Sequence, residues 1–592
     1  VGRDKMEVSD IKLKVKKMIN NEYEILSFGE FGNIFKRIKD NSKRNDFIRN
    51  IRNYFDERVI IVDEVHNMRY INEEDQGKEV SKIFHEMLEI LKNNALVLLS
   101  ATPMFDNYEE IKFILNSLLI QNGEKKLTKN DKIFDNNKLN PEFEKKLKKV
   151  SNNFISYMRG ENPFTFPLRL YPSVNDDSRI LKSNDYPKLD VYGNKISKED
   201  QIKYLEFIRT DMSKLQQKIY NRIQTSDNTN NNLNDNDDDE DVDIQQKVQI
   251  SNIVYGSNED IKKTYGNEGL KSIFKIQNSK KGEYKVEYKK KDEILKYSNL
   301  EKYSPKIKLL VKNIKKAEGI VLVYSRYLAS GVIPIAIALE HSGFHKYGGR
   351  NILKQGSREN KRGSYVIISG NTYLSPDNTK EIIECTNKNN KDGDKIKVIL
   401  ITESGTEGLD LKNVREVHIF DPWYNLNRIE QVIGRGVRNY SHIDLQETKR
   451  NTTIYQYVNL TQDNKRESID FRTYRIAENK QKKISELEKI MKNNAIDCNL
   501  NINSNKFDDL EPVKILTSRN KLINKFNIND KDYSRLCNYS KCDIKCENKI
   551  DIQDLDNTTY KKEIINYDID LLVKYIKKHF SNKQSAKIED FD

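Results

Sequence analysis

Residues 59–69 read VIIVDEVHNMR, four consecutive aliphatic side chains running straight into two acids. An uninterrupted apolar run of that length fits a strand buried on both faces of a parallel sheet, with its first polar residues at the carboxyl end. Open α/β sheets collect their ligands at that end. The pattern returns one helix-length later. SKIFHEMLEILKN (81–93) spaces its apolar residues for a helix, and ALVLLSATPMF (95–105) is a second apolar run ending in small polar residues. Strand, helix and strand together make a βαβ unit and set the expectation of an α/β protein.

The polar strand ends carry the candidate chemistry. Asp63 can hold Mg2+ on a nucleotide, directly or through water, and Glu64 can orient and deprotonate an attacking water. An acid pair also closes many ordinary strands, so both readings stay open on this stretch alone. His66 is either a packing residue or a link from the acids to a moving neighbour. Ser100, Ala101 and Thr102, just before Pro103, either cap a turn or relay the state of a bound nucleotide across a cleft.

The second half of the chain repeats this grammar. GIVLVYSRYLASGVIPIAIALEHSGF (319–344) is a strand followed by an apolar helix, with Ser325 and Arg326 at the ligand-facing edge where hydroxyl and guanidinium groups can meet a nucleic-acid backbone. GSYVIISG (363–370) is a further strand. KVILITESGTEGLDLKNVREVHIFDPWYN (397–425) gives two more around a glycine-rich turn. There Thr402, Ser404 and Thr406 offer hydroxyls and amides to a phosphate backbone, Gly405 and Gly408 permit its close approach, and Asp410 can bridge to a nucleotide cleft. Trp423 reads as a packing anchor.

Residues 425–442, NLNRIEQVIGRGVRNYSH, follow directly. Gln431, Arg435 and Arg438 are spaced four and three apart, so a helix brings them to one face. Arginines resist burial unless paired, and a planar, permanently charged fork suits phosphate oxygens. A surface helix with scattered basic residues is the competing reading.

Elsewhere, residues 196–222 have an amphipathic helical pattern and residues 226–243 form an acidic, disordered insertion. NTTIYQYVNL (451–460) is a strand, and residues 468–494 form a long charged helix. Cys537, Cys542 and Cys546 make a C-x4-C-x3-C cluster, a weak zinc candidate that needs a further ligand such as Cys498 or His579. The five cysteines show no extracellular disulfide pattern, which favours a reducing compartment. A net charge of +13 permits an anionic partner, and no apolar run is long enough to cross a bilayer.

In combination, VIIVDEVH, LLSATP, VYSRY, TESGTEGLDL and QVIGRGVR resemble the superfamily 2 helicase and nucleic-acid translocase family. ENPFTFPLRLYP (161–172), residues 319–340, residues 418–442 and residues 468–501 are similar to the helicase-type ATPases of large cytoplasmic DNA viruses, a group that includes the poxvirus early transcription factor small subunit and viral nucleoside triphosphatase I. The resemblance implies two RecA-like parallel-sheet domains clasping ATP and Mg2+. It gives Asp63 and Glu64 the metal and the water, His66 and Ser100–Thr102 the coupling, and Gln431, Arg435 and Arg438 the nucleotide phosphates. It further implies DNA as partner, a second transcription-factor subunit or viral RNA polymerase as companion, no membrane, and a place in the virion and host cytoplasm.

The corresponding division is a partial first RecA-like domain (1–150), a linker and insertion region (151–300), a second RecA-like domain (301–465) and a C-terminal helical or mixed module (466–592). One element departs from the family pattern. No G-x-x-x-x-G-K-[S/T] phosphate loop occurs in the 592 residues, so a truncated or split product with weak turnover of its own is the expectation.

Overall fold

The computed structural model describes residues 8–41, 43–68, 76–223, 238–279, 283–349, 351–354, 362–403 and 409–547, together with 573, 574 and 577. Its first unit contains helices α1 (Phe28–Asp40) and α2 (Arg44–Phe55), strand β1 (Val59–Val62), helix α3 (Gln76–Ile90), strand β2 (Ala95–Leu98), and helices α4 (Ile111–Gln121) and α5 (Pro141–Phe154). Strand β1 pairs in parallel with β2, Val59 opposite Ala95 and Val62 opposite Leu98, as the βαβ reading requires.

Only one face of this pair is buried. Val62 packs into a core with Phe84, Met87 and Leu115, whereas Val59, Ile61, Val97 and Leu99 are 64%, 56%, 39% and 46% exposed on the other face. The expectation of a strand buried on both sides is therefore corrected. Among the described residues the sheet has two strands, and side chains of period two fall alternately on a covered and an uncovered face.

The second unit is built on an eight-stranded sheet: β3 (Leu168–Leu170), β4 (Ile208–Asp211), β5 (Ile320–Tyr324), β6 (His345–Lys346), β7 (Ser364–Ile368), β8 (Ile396–Ile401), β9 (Val414–Ile419) and β10 (Asn451–Leu460). The order is β6-β7-β8-β5-β9-β10, with β3 and β4 both on the far edge of β10, and every pairing is parallel. Successive residues of β5 alternate between two cores. Val321 and Val323 meet helices α6 (Pro305–Lys316) and α7 (Ile333–His341), while Ile320, Leu322 and Tyr324 meet helix α8 (Leu426–Gly436). A parallel sheet covered on both faces needs such near-continuous apolar strands.

Two segments outside the expected 301–465 boundary are thus strands of this sheet. Residues 208–211, within the stretch expected to be helical, pair with Tyr457–Leu460. The alternation Ile208, Arg209, Thr210, Asp211 buries its first and third members, a period-two signal hidden in a longer polar context. The acidic stretch differs as well: residues 238–243 open the helix Asp238–Asn252, where the N-terminal macrodipole favours acidic side chains. Residues 226–237 lie outside the described residues.

Helix α9 (Ile469–Asn493) joins the two units. At 1.5 Å per residue its 25 residues span roughly 37 Å. Its first half lays Phe471, Tyr474 and Ala477 on the second unit's core, and its second half puts Ile484, Leu487 and Met491 into the first unit's core. Ser468 caps it by accepting from the Phe471 amide, which satisfies one of the orphan donors of its first turn. No helix among the described residues is long and apolar enough to cross a membrane.

The cysteines correct another expectation. Cys498 is bonded to Cys546 and Cys537 to Cys542, leaving Cys385 as a buried free thiol. A disulfide sulfur is no thiolate ligand, so Cys537, Cys542 and Cys546 do not form the zinc site considered above. Among the described residues no group of three His, Cys, Asp or Glu is arranged to hold a metal ion. The partner of Cys546 lies 48 residues away, beyond the reach of any spacing argument.

Candidate nucleotide cleft

Strand β1 ends at Val62, and the chain turns at once. Glu64 adopts a φ of +50°, a left-handed conformation that non-glycine residues rarely occupy. Asp63 Oδ1 accepts from the Glu64 amide at 3.0 Å. The turn leaves both carboxylates exposed at the carboxyl end of the strand, while His66 is only 3% exposed beneath them. His66 Nδ1 stands 3.0 Å from Ser100 Oγ and 3.2 Å from Glu64 Oε2, and its ring stacks on Phe105 at 5.3 Å. Ser100 Oγ also accepts from the Thr102 amide at 3.0 Å. Glu64, His66, Ser100 and Thr102 therefore form one connected polar group, whereas Ala101 is exposed.

Helix α8 supplies the opposite wall. Asn425 caps it by accepting from the Arg428 amide, and Ile429, Val432 and Ile433 bury its inner stripe. Gly436 lets the helix approach β9, because a Cβ there would stand 3.2 Å from the Val414 side chain. The other face carries Gln431 and Arg435, whereas the helix ends at Gly436 and Arg438 lies in the segment beyond it, which corrects the expectation of three residues on one helix face; all three are partly exposed. Arg435 Nη1 reaches the Leu409 carbonyl at 3.5 Å. Arg438 Nε donates to the Gly434 carbonyl at 3.2 Å, and its Nη1 lies 3.6 Å from Asp410.

The two walls meet electrostatically. Burial raises the Glu64 carboxyl above its ordinary pKa, the Asp63 charge pushes it the same way, and the Arg435 guanidinium pulls it back. They also meet directly at Asn427, which is fully buried and donates from Nδ2 to the carbonyls of Met104 and Phe105, both at 2.8 Å. Lys480 of α9 adds an ion pair to Asp106 at 3.5 Å. Asn427 was not singled out from the sequence, although the spacing held the signal: four residues before Gln431, it lies on the same helix face.

The residues expected to touch nucleic acid divide differently. Ser325 is fully buried and donates to Asp421 Oδ2 at 2.5 Å, so its hydroxyl is an internal brace and not a surface contact. Thr402 is likewise buried. Arg326 lies over the Trp423 ring at 4.0 Å, with its amide bonded to Asp421 Oδ1. Trp423 is 7% exposed and anchors this corner, as its sequence context indicated. Ser404 and Thr406 lie outside the described residues.

The cleft's donor set fits a magnesium nucleotide in part. Asp63 and Glu64 present the hard carboxylate oxygens that suit Mg2+, and α8 presents guanidinium forks suited to phosphate. The phosphate-loop motif is not among the chain's residues.

The chain is similar in sequence to several known proteins. The helicase conserved C-terminal domain family matches residues 305–440, which run from α6 through the arginine helix. A protein named as a helicase in Invertebrate iridescent virus 3 is 27% identical over 557 residues, covering 93% of this chain and 47% of its own. A protein named as an ATP-dependent RNA helicase in Acanthamoeba polyphaga mimivirus is 29% identical over 509 residues, 84% of this chain and 74% of its own. Nucleoside triphosphatase I of Choristoneura fumiferana entomopoxvirus is 24% identical over 511 residues, 82% and 67% of the two chains. The chain therefore spans less than half the length of the iridescent virus relative. The C-terminal part of the Fun30 ATPase domain overlaps 33% of this chain at 18% identity and a TM-score of 0.21, a likeness too slight to add to the fold described above. Residues 305–440 thus match the helicase conserved C-terminal domain family, and the chain as a whole is similar to several proteins named as helicases in large DNA viruses.

Proposed function

We propose that the chain is the motor portion of a DNA-stimulated ATPase and translocase acting in viral transcription, with a place in the virion and the cytoplasmic viral factory. The observation that carries this reading is the bonding of Asn427, on the arginine helix, to the Met104 and Phe105 carbonyls of the loop after Ser100–Thr102, since a composite cleft is what lets nucleotide state move one unit against the other. In this reading Asp63 holds Mg2+ and the raised carboxyl of Glu64 takes a proton from water. Arg435 and Arg438 stabilise phosphate charge, and Gln431 orients beside them. Bound nucleotide would supply the phosphoanhydride. The chain's own residues position the water, receive its proton and neutralise the opposite side.

The related proteins' names support an ATP-driven nucleic-acid enzyme, while the choice of transcription initiation rests on the resemblance of residues 161–172, 319–340, 418–442 and 468–501. Steady-state ATPase assays with duplex DNA, single-stranded DNA and RNA, beside the Glu64→Gln variant, test the reading. A polypeptide containing this chain and a phosphate loop is expected to turn over faster with DNA and to lose turnover in Glu64→Gln. Equal rates with and without every nucleic acid would sink it.

The uncovered face of β1 and β2 favours a second reading, in which the chain is a catalytically silent scaffold subunit. Its exposed Val59, Ile61, Val97 and Leu99 would then be covered by a partner that brings the phosphate-binding backbone. Substantial turnover by residues 1–592 alone, abolished by Glu64→Gln, would exclude it.

A further inference from the structure

Asn427 spends its whole side chain on two other segments. Its amide nitrogen faces two carbonyls, Met104 and Phe105, of the loop that follows Ser100–Thr102. Its amide oxygen accepts from Arg535 Nη2 at 2.6 Å. Carbonyls only accept and a guanidinium only donates, so the surroundings admit a single orientation of this amide. Turned over, it would set its oxygen against two acceptors and its nitrogen against a cation.

Arg535 is itself held. Its Nε lies 3.9 Å from Glu430 of α8, a carboxylate already bonded to Arg169 at 2.6 Å. The segment carrying Arg535 is stapled by Cys537–Cys542 and tied to the start of the helix Cys498–Asn505 by Cys498–Cys546. The C-terminal segment thus reaches the seam between the two units with one cation, and that cation selects the orientation of the amide that joins them.

We propose that Asn427 and Arg535 are positioning residues: Asn427 sets the distance between the arginine helix and the Ser100–Asp106 loop, and Arg535 locks it in the joining orientation. The consequence, a fixed approach of Arg435 to Glu64, rests on the composite-cleft reading above. The contact itself does not, and it can be tested without nucleotide or nucleic acid.

Hydrogen exchange of the full chain, read at residues 99–107 and 426–436, makes the test. Asn427→Ala is expected to accelerate exchange in both segments by about tenfold or more, as loss of two buried hydrogen bonds implies, while β8 and β9 stay protected. Arg535→Ala is expected to accelerate the same two segments, although it lies outside both. If Arg535 acts through Asn427, the double variant exchanges no faster than Asn427→Ala alone. Arg535→Lys, which keeps a donor toward the amide oxygen, is expected to restore much of the protection.

Acceleration confined to residues 531–547 in Arg535→Ala, or additive effects in the double variant, would overturn the proposal. Should Asn427→Ala unfold the chain, Arg535→Ala decides alone, and unchanged exchange at 99–107 refutes it.

Discussion

His66 and Ser100, 34 residues apart in sequence, share a 3.0 Å hydrogen bond that joins the ends of strands β1 and β2. The bond is partly buried, and the same serine oxygen also accepts from the Thr102 amide. Ser100→Ala removes an acceptor from one group and a partner from another. In a polypeptide that turns over ATP, the DNA-stimulated rate is expected to fall about tenfold, the equivalent of one hydrogen bond, with the basal rate little changed. Comparing the two rates checks it; an equal loss in both would mean that the bond supports the fold and not the coupling.

Arg438 has a different standing. Its ion pair with Asp410 is 3.6 Å long, with side chains 42% and 59% exposed, and pairs of that kind contribute less than about 1 kcal/mol. Arg438→Ala should therefore leave thermal unfolding almost unmoved. Turnover is expected to fall much further than DNA affinity, measured by ATPase rate and by fluorescence anisotropy. Unchanged turnover with weakened DNA binding would reassign the residue to the nucleic acid.

Leu487 tests the role of α9. It is fully buried in the first unit's core although it belongs to the C-terminal helix. Leu487→Ala is expected to cost about 2–5 kcal/mol, read by denaturant unfolding, and to loosen the first unit selectively in hydrogen exchange. Val59→Ala on the uncovered face, with 64% exposure, should change stability by no more than about 0.5 kcal/mol.

His442, the last residue of the arginine stretch, gives a pH signature. It is 2% exposed. Its Nε2 donates to the Val414 carbonyl at 2.8 Å, and its Nδ1 accepts from Ser441 Oγ at 2.9 Å. Burial lowers its pKa to about 4, below the ordinary value near 6.5. Between those values the unfolded chain binds the proton and the folded chain does not. This residue's contribution is thus complete above about pH 6.5 and declines as pH falls toward 4, by roughly 3 kcal/mol in all. His442→Asn should flatten the stability profile over that window. An unchanged slope between pH 4.5 and 6.5 would show that other groups set it.

Much of this was legible in the chain itself. Periodicity located β1, β2, β5 and β7–β10, because a strand packed on a core is rich in apolar residues and ends where polarity begins. The same logic placed Asp63, Glu64 and Ser100 at carboxyl ends, and the spacing of four set Gln431 and Arg435 on one helix face, while Arg438 falls past the end of the helix at Gly436.

Tertiary structure decided what local pattern does not encode. Residues 168–170 and 208–211 are short, and they are strands only because β10 offers them an edge. Ser325 looks like a surface hydroxyl until Asp421, 96 residues away, turns it inward. The cysteines look like thiols until the fold brings Cys498 to Cys546. Asn427 and Arg535 lie 108 residues apart, and nothing in either neighbourhood announces that they meet. Periodicity reports how a residue faces its own element, because the backbone repeats. Which element lies opposite depends on how helices and sheets pack, and that information is spread over the whole chain.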